Sequence, residues 1–181
     1  MNELFAHEGV LLLRANGQVK KTKLVVKTSL SGRISPIGLQ YQYSIHFFMN
    51  HITLAAVRKT ILKYRDKSQY DLNCSETLVA AFSELYELSM DLRHFSAFGG
   101  GMGIGDTCGS VAGAVGVLST LFVKKNAYEN NSAIRGITQN FFQKLRDRME
   151  GINCMELKPQ FFTREGGCND LMLLVGEVLF E

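Results

Sequence analysis

Proline is scarce in this chain, with two in 181 residues, and no apolar run approaches the ~18 to 20 residues that cross a bilayer. Few prolines leave room for long helices. The lack of a spanning run argues against a membrane helix, and no secretory signal is expected at the Met1 end. It carries Glu3 and Glu8 and only the short apolar run Val10 to Leu13. A cytoplasmic protein is the expectation. In a reducing compartment, four cysteines point to metal binding, redox chemistry or simple burial before they point to permanent disulfides. Their spacing, C-x33-C-x45-C-x13-C, contains no Cys-x-x-Cys, which counts against a zinc ribbon, a thioredoxin-type motif and a covalent c-type haem site. Also missing is the Gly-Lys-Ser/Thr ending of a phosphate-binding loop. No clear strand precedes the glycine run, as a dinucleotide fingerprint requires, so nucleotide binding is not expected.

Acidic residues are sparse at one end only. Residues 1–48 contain no Asp and carry six Lys or Arg against Glu3 and Glu8, a balance of +4; residues 49–181 carry 14 basic and 15 acidic residues, a balance of −1. The basic excess therefore belongs to the first segment, and the main body gives no case for nucleic-acid binding. All four cysteines lie after residue 48. A chain of this length buries one sizeable core, so we expect a helical domain over 49–181 and a basic N-terminal extension over 1–48. Within the extension, VLLLRANGQVKKTKLVVKTSL reads as a hairpin with Ala15-Asn16-Gly17-Gln18 at the turn. The stretch ISPIGLQYQYSIHFF has no clear pattern, and Met49 opens the better-organised region, so translation starting there is a further expectation.

From residue 52 the periodicity is helical. ITLAAVRKTILKYRD places Leu54, Val57, Ile61 and Tyr64 on one stripe, and TLVAAFSELYEL places Leu78, Phe82, Leu85 and Leu88 on another. Asn73-Cys74-Ser75-Glu76 has an N-cap residue followed three positions later by the carboxylate of a capping box. IRGITQNFFQKLRDRM sets Ile134, Ile137, Phe141, Leu145 and Met149 on a buried stripe after the polar loop AYENNSA. Asn153-Cys154-Met155-Glu156 then repeats the N-cap, cysteine and glutamate pattern. Pro159 and Gly166-Gly167 bracket a loop, and Cys168 begins an apolar closing helix.

The densest stretch is FGGGMGIGDTCGSVAGAVG, residues 98–116, with eight of the 17 glycines. Asp106-Thr107 stands in a capping position, so Cys108 falls in a first helical turn, where the positive end of the dipole favours a thiolate. In the helix that follows, Gly109/Gly113 and Ala112/Gly116 form a narrow face of small residues. Either a neighbouring helix or a bound group packs very close there. Gly100, Gly101, Gly103, Gly109 and Gly113 are the candidates for approach to a cofactor. Lys124 and Lys125 suit the C-terminal end of this helix. His94 and Met102, beside the run, read more simply as a boundary residue and a gap filler than as ligands.

Four cysteines thus recur at helix starts, two of them in one N-C-x-E context. Free cysteine is often a buried small hydrophobe, but that role carries no preference for helix ends. Cys74, Cys108, Cys154 and Cys168 are the candidate redox residues. As alternatives, the same four thiolates could bind zinc or an iron–sulfur cluster, or could all be core in an interaction domain. Cys108 is expected to be the most central and most nucleophilic thiol, and Cys154 with Cys168 the closest pair.

The order NCSE, FGGGMGIGDTCGSVAGA, NCMEL and GGC before a closing helix resembles the four-cysteine redox-active family named for its C-GCAxxG-C-C pattern, over about residues 52–181. Carried over, the family cysteines fall on Cys74, Cys108, Cys154 and Cys168. Its Cys-Gly-Ala-x-x-Gly signature falls on Cys108, Gly109, Ser110 and Gly113, with Ser110 in place of Ala. The resemblance implies a redox role, without naming a substrate, a redox partner or a small-molecule donor. We expect an all-α bundle of five or six helices with cysteines at helix N-termini, and a short hairpin in the extension.

Overall fold

Backbone contacts divide the chain into two units, Met1–Gln42 and Tyr43–Glu181. The computed structural model describes residues 3–7, 10–15, 18–23, 52–126, 128 and 131–181. In the first unit, β1 (Glu3–His7), β2 (Val10–Ala15) and β3 (Gln18–Lys23) form an antiparallel sheet in that order. Ala15 pairs with Gln18, the register that the Asn-Gly hairpin predicts, although Asn16 and Gly17 themselves lie outside the described residues. The pairing of β1 with β2, from Glu3↔Arg14 to His7↔Val10, has no counterpart in the sequence reading. The stretch around Pro36 and Gly38, and Met49, also lie outside the described residues.

The second unit is all-α, as the periodicity predicts. Its described α-helices are α1 (Leu54–Tyr64), α2 (Cys74–Tyr86), α3 (Gly109–Phe122), α4 (Asn131–Arg146), α5 (Cys154–Phe161) and α6 (Asn169–Phe180). A 3₁₀ segment, Leu92–Phe98, lies between α2 and α3. Thr53 caps α1 by accepting the Ala56 N–H at 3.1 Å, and Val57 and Ile61 are fully buried, whereas Leu54 stays 41% exposed at the helix start. In α2 the apolar surface extends beyond the predicted stripe: Leu78, Val79, Ala81 and Phe82 are all fully buried, which makes this the central helix. It stops at Glu87, whose left-handed backbone (φ 53°) ends the helix before Leu88.

The helix α3 contributes Val111, Ala114 and Val117 to the core, and α6 contributes Leu171, Met172, Val175 and Val178. The helix α4 buries Phe141 and Leu145, with Ile134 and Ile137 only half-buried. Two expected boundaries shift. Pro159 sits inside α5 rather than in a loop, because a proline late in a short helix forfeits only one backbone bond. Phe122 is the last residue of α3, so Lys124 and Lys125 follow its C-cap. Ion pairs from Arg58 to Glu177 and from Lys63 to Glu84, both 2.6 Å, tie α1 to α6 and α2 on the exposed side; such pairs contribute at most about 1 kcal/mol. No helix among the described residues is long and apolar enough to cross a membrane.

Every residue of the core described here lies after Ile52. A chain beginning at Met49 should therefore fold with its helical circular dichroism intact; an insoluble or non-helical product would show that the first unit is required.

Candidate functional site

Each cysteine stands at a helix start, by a different local device. Cys74 is the first residue of α2, and Asn73 caps that helix by accepting the N–H groups of Ser75 and Glu76 at 2.9 and 3.1 Å. Glu76 reciprocates by accepting the Asn73 N–H at 3.0 Å, closing the predicted capping box. The Asn73 amide also donates to the Ser96 carbonyl at 2.8 Å, which fixes the 3₁₀ segment beside Cys74. Cys154 is likewise the first residue of α5, but its identical-looking context behaves otherwise. The Asn153 side chain accepts no capping hydrogen bond, and Glu156 turns back toward Gly151. Cys108 and Cys168 are themselves the N-cap residues of α3 and α6.

Long-range backbone pairing compensates for the missing cap on α5. Thr107 and Asn153 form an isolated antiparallel bridge, with the Cys108 N–H donating to the Ile152 carbonyl at 2.8 Å and the Cys154 N–H to the Asp106 carbonyl at 2.7 Å. The starts of α3 and α5 are thereby tied together across 45 intervening residues. Being antiparallel, the bridge sets Cys108 opposite Ile152 and Cys154 opposite Asp106. The two cysteines are therefore diagonal to each other on one face of the bridge rather than directly opposite. A second bridge, Thr163↔Gly167, closed by reciprocal 2.9 Å bonds, folds the chain back between α5 and α6 and delivers Cys168.

The glycine run fills the space between these helix starts. A side chain at Gly99 would meet Asn73 at 3.0 Å, one at Gly101 would meet Cys154 Cβ at 2.7 Å, and one at Gly105 would meet Met155 at 3.0 Å. Positive φ at Gly101 and Gly105 leaves glycine as the unstrained choice. The run thus lies against Cys154. On α3, a Cβ at Gly109 would lie 2.5 Å from Cys74 Sγ, and one at Gly113 would lie 2.7 Å from the Ser75 carbonyl. Close packing of α2 therefore accounts for the small residues at Gly109 and Gly113, with no bound group needed. Around Gly100 and Gly103 the space is open. Met102 is 39% exposed with φ 58°, so it fills no core gap. His94 is exposed on the 3₁₀ segment, where its charge acts on Asp91.

Burial pushes the thiols of Cys108, Cys154 and Cys168 above their ordinary value, and the charge of Cys74 adds to the rise at all three. At Cys168, Cys154 adds to it as well, while Lys158 and Arg65 oppose it; at Cys154, Lys158 opposes it. Of the other thiols, only Cys74 acts on Cys108. Cys108 is 2% exposed and its thiol is pushed up to about 11, despite the N–H groups of Val111 and Ser110 at the helix start. Expected to be the most nucleophilic, Cys108 is held as a neutral thiol instead: desolvation outweighs the helix dipole. Ser110 Oγ, fully buried without a well-formed hydrogen bond, lies near enough to Cys108 to favour its thiolate slightly.

Among the described residues no group of three or more His, Cys, Asp or Glu is placed to hold an ion, so Cys74, Cys108, Cys154 and Cys168 are not clustered as a metal site.

Residues 72–181 match the sequence model described as "Putative redox-active protein (C_GCAxxG_C_C)". The chain belongs to that family. The match covers more than half of the sequence and includes all four cysteines. No curated protein matches the chain, and neither does a solved structure. Arg65 and Lys158 escaped the sequence reading of this site. Lys158 had a local signal, four residues after Cys154 on one helix, but Arg65 reaches Cys168 only through tertiary packing.

Two predictions follow from the local devices. Asn73→Ala should cost about 0.5 to 2 kcal/mol in denaturant unfolding, and Asn153→Ala less than about 0.5, because only the first side chain caps. Equal losses would mean the two caps act alike. Cys108 should be the last thiol alkylated in the native protein, its reaction accelerating only as pH climbs from about 9 toward about 11. Because its folded value lies above its unfolded one, the associated stability is complete below about 9 and is lost through about 11. Early labelling of Cys108, read by mass spectrometry, would contradict both expectations.

Proposed function

We propose that this protein is a thiol redox protein in which Cys154 and Cys168 interconvert between dithiol and disulfide, with Cys74 behind them as the thiol to which the disulfide passes. The observation that carries the reading is the Thr163↔Gly167 bridge, which folds the chain back between Cys154 and Cys168, together with the charge of Cys74 acting on both thiols and that of Cys154 on Cys168. All three are half-buried, so a partner has access, and all four cysteines are free. In the forward step the two thiols give up two electrons and two protons to an oxidised partner, and one S–S bond forms. The Thr163↔Gly167 turn makes the Cys154–Cys168 pairing short-range, and thiol–disulfide exchange then allows transfer to Cys74. Cys108 is the inner thiol, shielded from solvent. Such chemistry belongs in a reducing compartment, where a partner resets the pair.

The test is to equilibrate the protein in a series of glutathione redox buffers, quench by alkylation, and map the links by mass spectrometry. The expected oxidised form loses two thiols to a Cys154–Cys168 bond, and Cys154→Ser and Cys168→Ser each abolish that link. Four free thiols across the whole series, or links formed only between molecules, would refute the reading.

A further inference from the structure

Positive charge gathers beside the outer thiols without an acidic partner. Lys158 follows Cys154 by four residues on α5, so the two share a face, and Phe162 follows by four more, its ring centroid 5.2 Å from Lys158 Nζ. Arg65 lies between the starts of α2 and α6: Nη1 donates to the Leu72 carbonyl and Nε to Asn169 Oδ1, both at 3.0 Å. Its remaining nitrogen, Nη2, lies against Gly167, 3.2 Å from where a Cβ would stand, immediately before Cys168. Neither cation is among those that form ion pairs in the described residues, which are Arg58, Lys63, Arg93, Lys144 and Arg148; Lys59, Lys67, Arg135, Arg146 and Arg164 form none either. Next to Cys154, Met155, Lys158, Pro159 and Phe162 line a shallow concavity of about 340 Å³, almost wholly apolar except for the ammonium group. The starts of α5 and α6 add their own positive potential.

We propose that the thiol pair acts on a small disulfide bearing carboxylates, whose anionic groups are held by Lys158 and by Nη2 of Arg65 and whose aliphatic part rests on Met155, Pro159 and Phe162. The proposal rests on the thiol–disulfide reading above. Cys154, as thiolate, attacks one sulfur of the substrate; the substrate S–S bond breaks, one carboxylate-bearing thiolate leaves and takes a proton from water, and a mixed disulfide forms. Cys168 then loses its proton to water and attacks Cys154 Sγ. The Cys154–Cys168 bond forms and the second thiolate leaves, likewise protonated. One substrate disulfide has been reduced to two thiols, and two cysteines have been oxidised to one disulfide. Lys158 and Arg65 favour each thiolate that appears at the site, and they orient the carboxylates beforehand.

The experiment compares the rates at which the fully reduced protein is oxidised by dithiodipropionate, hydroxyethyl disulfide and cystamine, which are anionic, neutral and cationic. At low ionic strength the anionic reagent should exceed the cationic one by about tenfold, with the ratio falling toward one in high salt. Lys158→Gln should lower the anionic rate by roughly threefold and raise the cationic one by a similar factor, and Lys158→Glu should do so more strongly, since one unit charge at such range in water shifts a rate by about that factor. Lys158 is the probe of choice because it is exposed, whereas replacing Arg65 would also remove its bonds to Leu72 and Asn169. Unchanged thermal unfolding of the variants establishes that the fold is kept. If hydroxyethyl disulfide oxidises the pair but the anionic reagent gains nothing, or if both Lys158 variants keep the wild-type ratio, this inference falls and the redox reading stands. If no disulfide oxidises the pair, both fall.

Discussion

The arrangement depends on close backbone approach at positions that carry no Cβ. Cys74 Sγ and the Ser75 carbonyl occupy the space that side chains at Gly109 and Gly113 would claim, at 2.5 and 2.7 Å. With α2 seated that far into α3, the 3₁₀ segment follows, its Phe95 ring 2.4 Å from the Cβ position of Gly116. Each glycine inside a helix costs about 0.5 to 1 kcal/mol against alanine, and the core that α2 and α3 share offsets it. The same economy of atoms lets the loop at Gly101 lie on Cys154. Removing Cβ atoms therefore positions two of the four thiols, and the backbone bridge between Thr107 and Asn153 positions the start of α3 against that of α5.

Burial and helix-terminus electrostatics oppose each other at every thiol, and magnitudes decide the outcome. A helix N-terminus favours a nearby anion by typically 0.3 to 1 kcal/mol, and up to about 2 in partly buried geometry. The rise of Cys108 from 9.0 to about 11 corresponds to roughly 3 kcal/mol in the opposite sense, so desolvation prevails. At Cys154 and Cys168 the same contest is closer, because both are only half-buried and both have cations beside them. Position at a helix start is thus not enough to make a reactive thiol; depth decides which of the four stays neutral.

Much of this was legible in the chain. The all-α character, the helix starts at Cys74 and Cys154, the capping box around Asn73, and the family all follow from local pattern and spacing. What the sequence conceals is non-local. NCSE and NCME look alike, yet only Asn73 caps, because the backbone at Asn153 is held by Thr107, a residue 46 positions earlier. The glycine run looks like a cradle for Cys108, its neighbour in sequence. It serves Cys154 and the cap of Cys74, since close approach is a relation between two segments and only one of them carries the glycines. Pro159 reads as a breaker, but its place late in α5 leaves the preceding turn intact. Arg65 gives no local sign at all: only the packing of α1 against α6 brings it to Asn169.

Depth and charge together sort the four cysteines into inner and outer members. Cys108 is sealed in the core beside Val111 and the unpartnered hydroxyl of Ser110, where no reagent reaches it without local opening. Cys74 adjoins it across Gly109 and at the same time influences Cys154 and Cys168. The outer pair has solvent on one side, the turn closed by Thr163 and Gly167 between its members, and Arg65 and Lys158 alongside. Cys74 is the thiol whose charge adds to the rise at Cys108. The order of access follows from where the helices start.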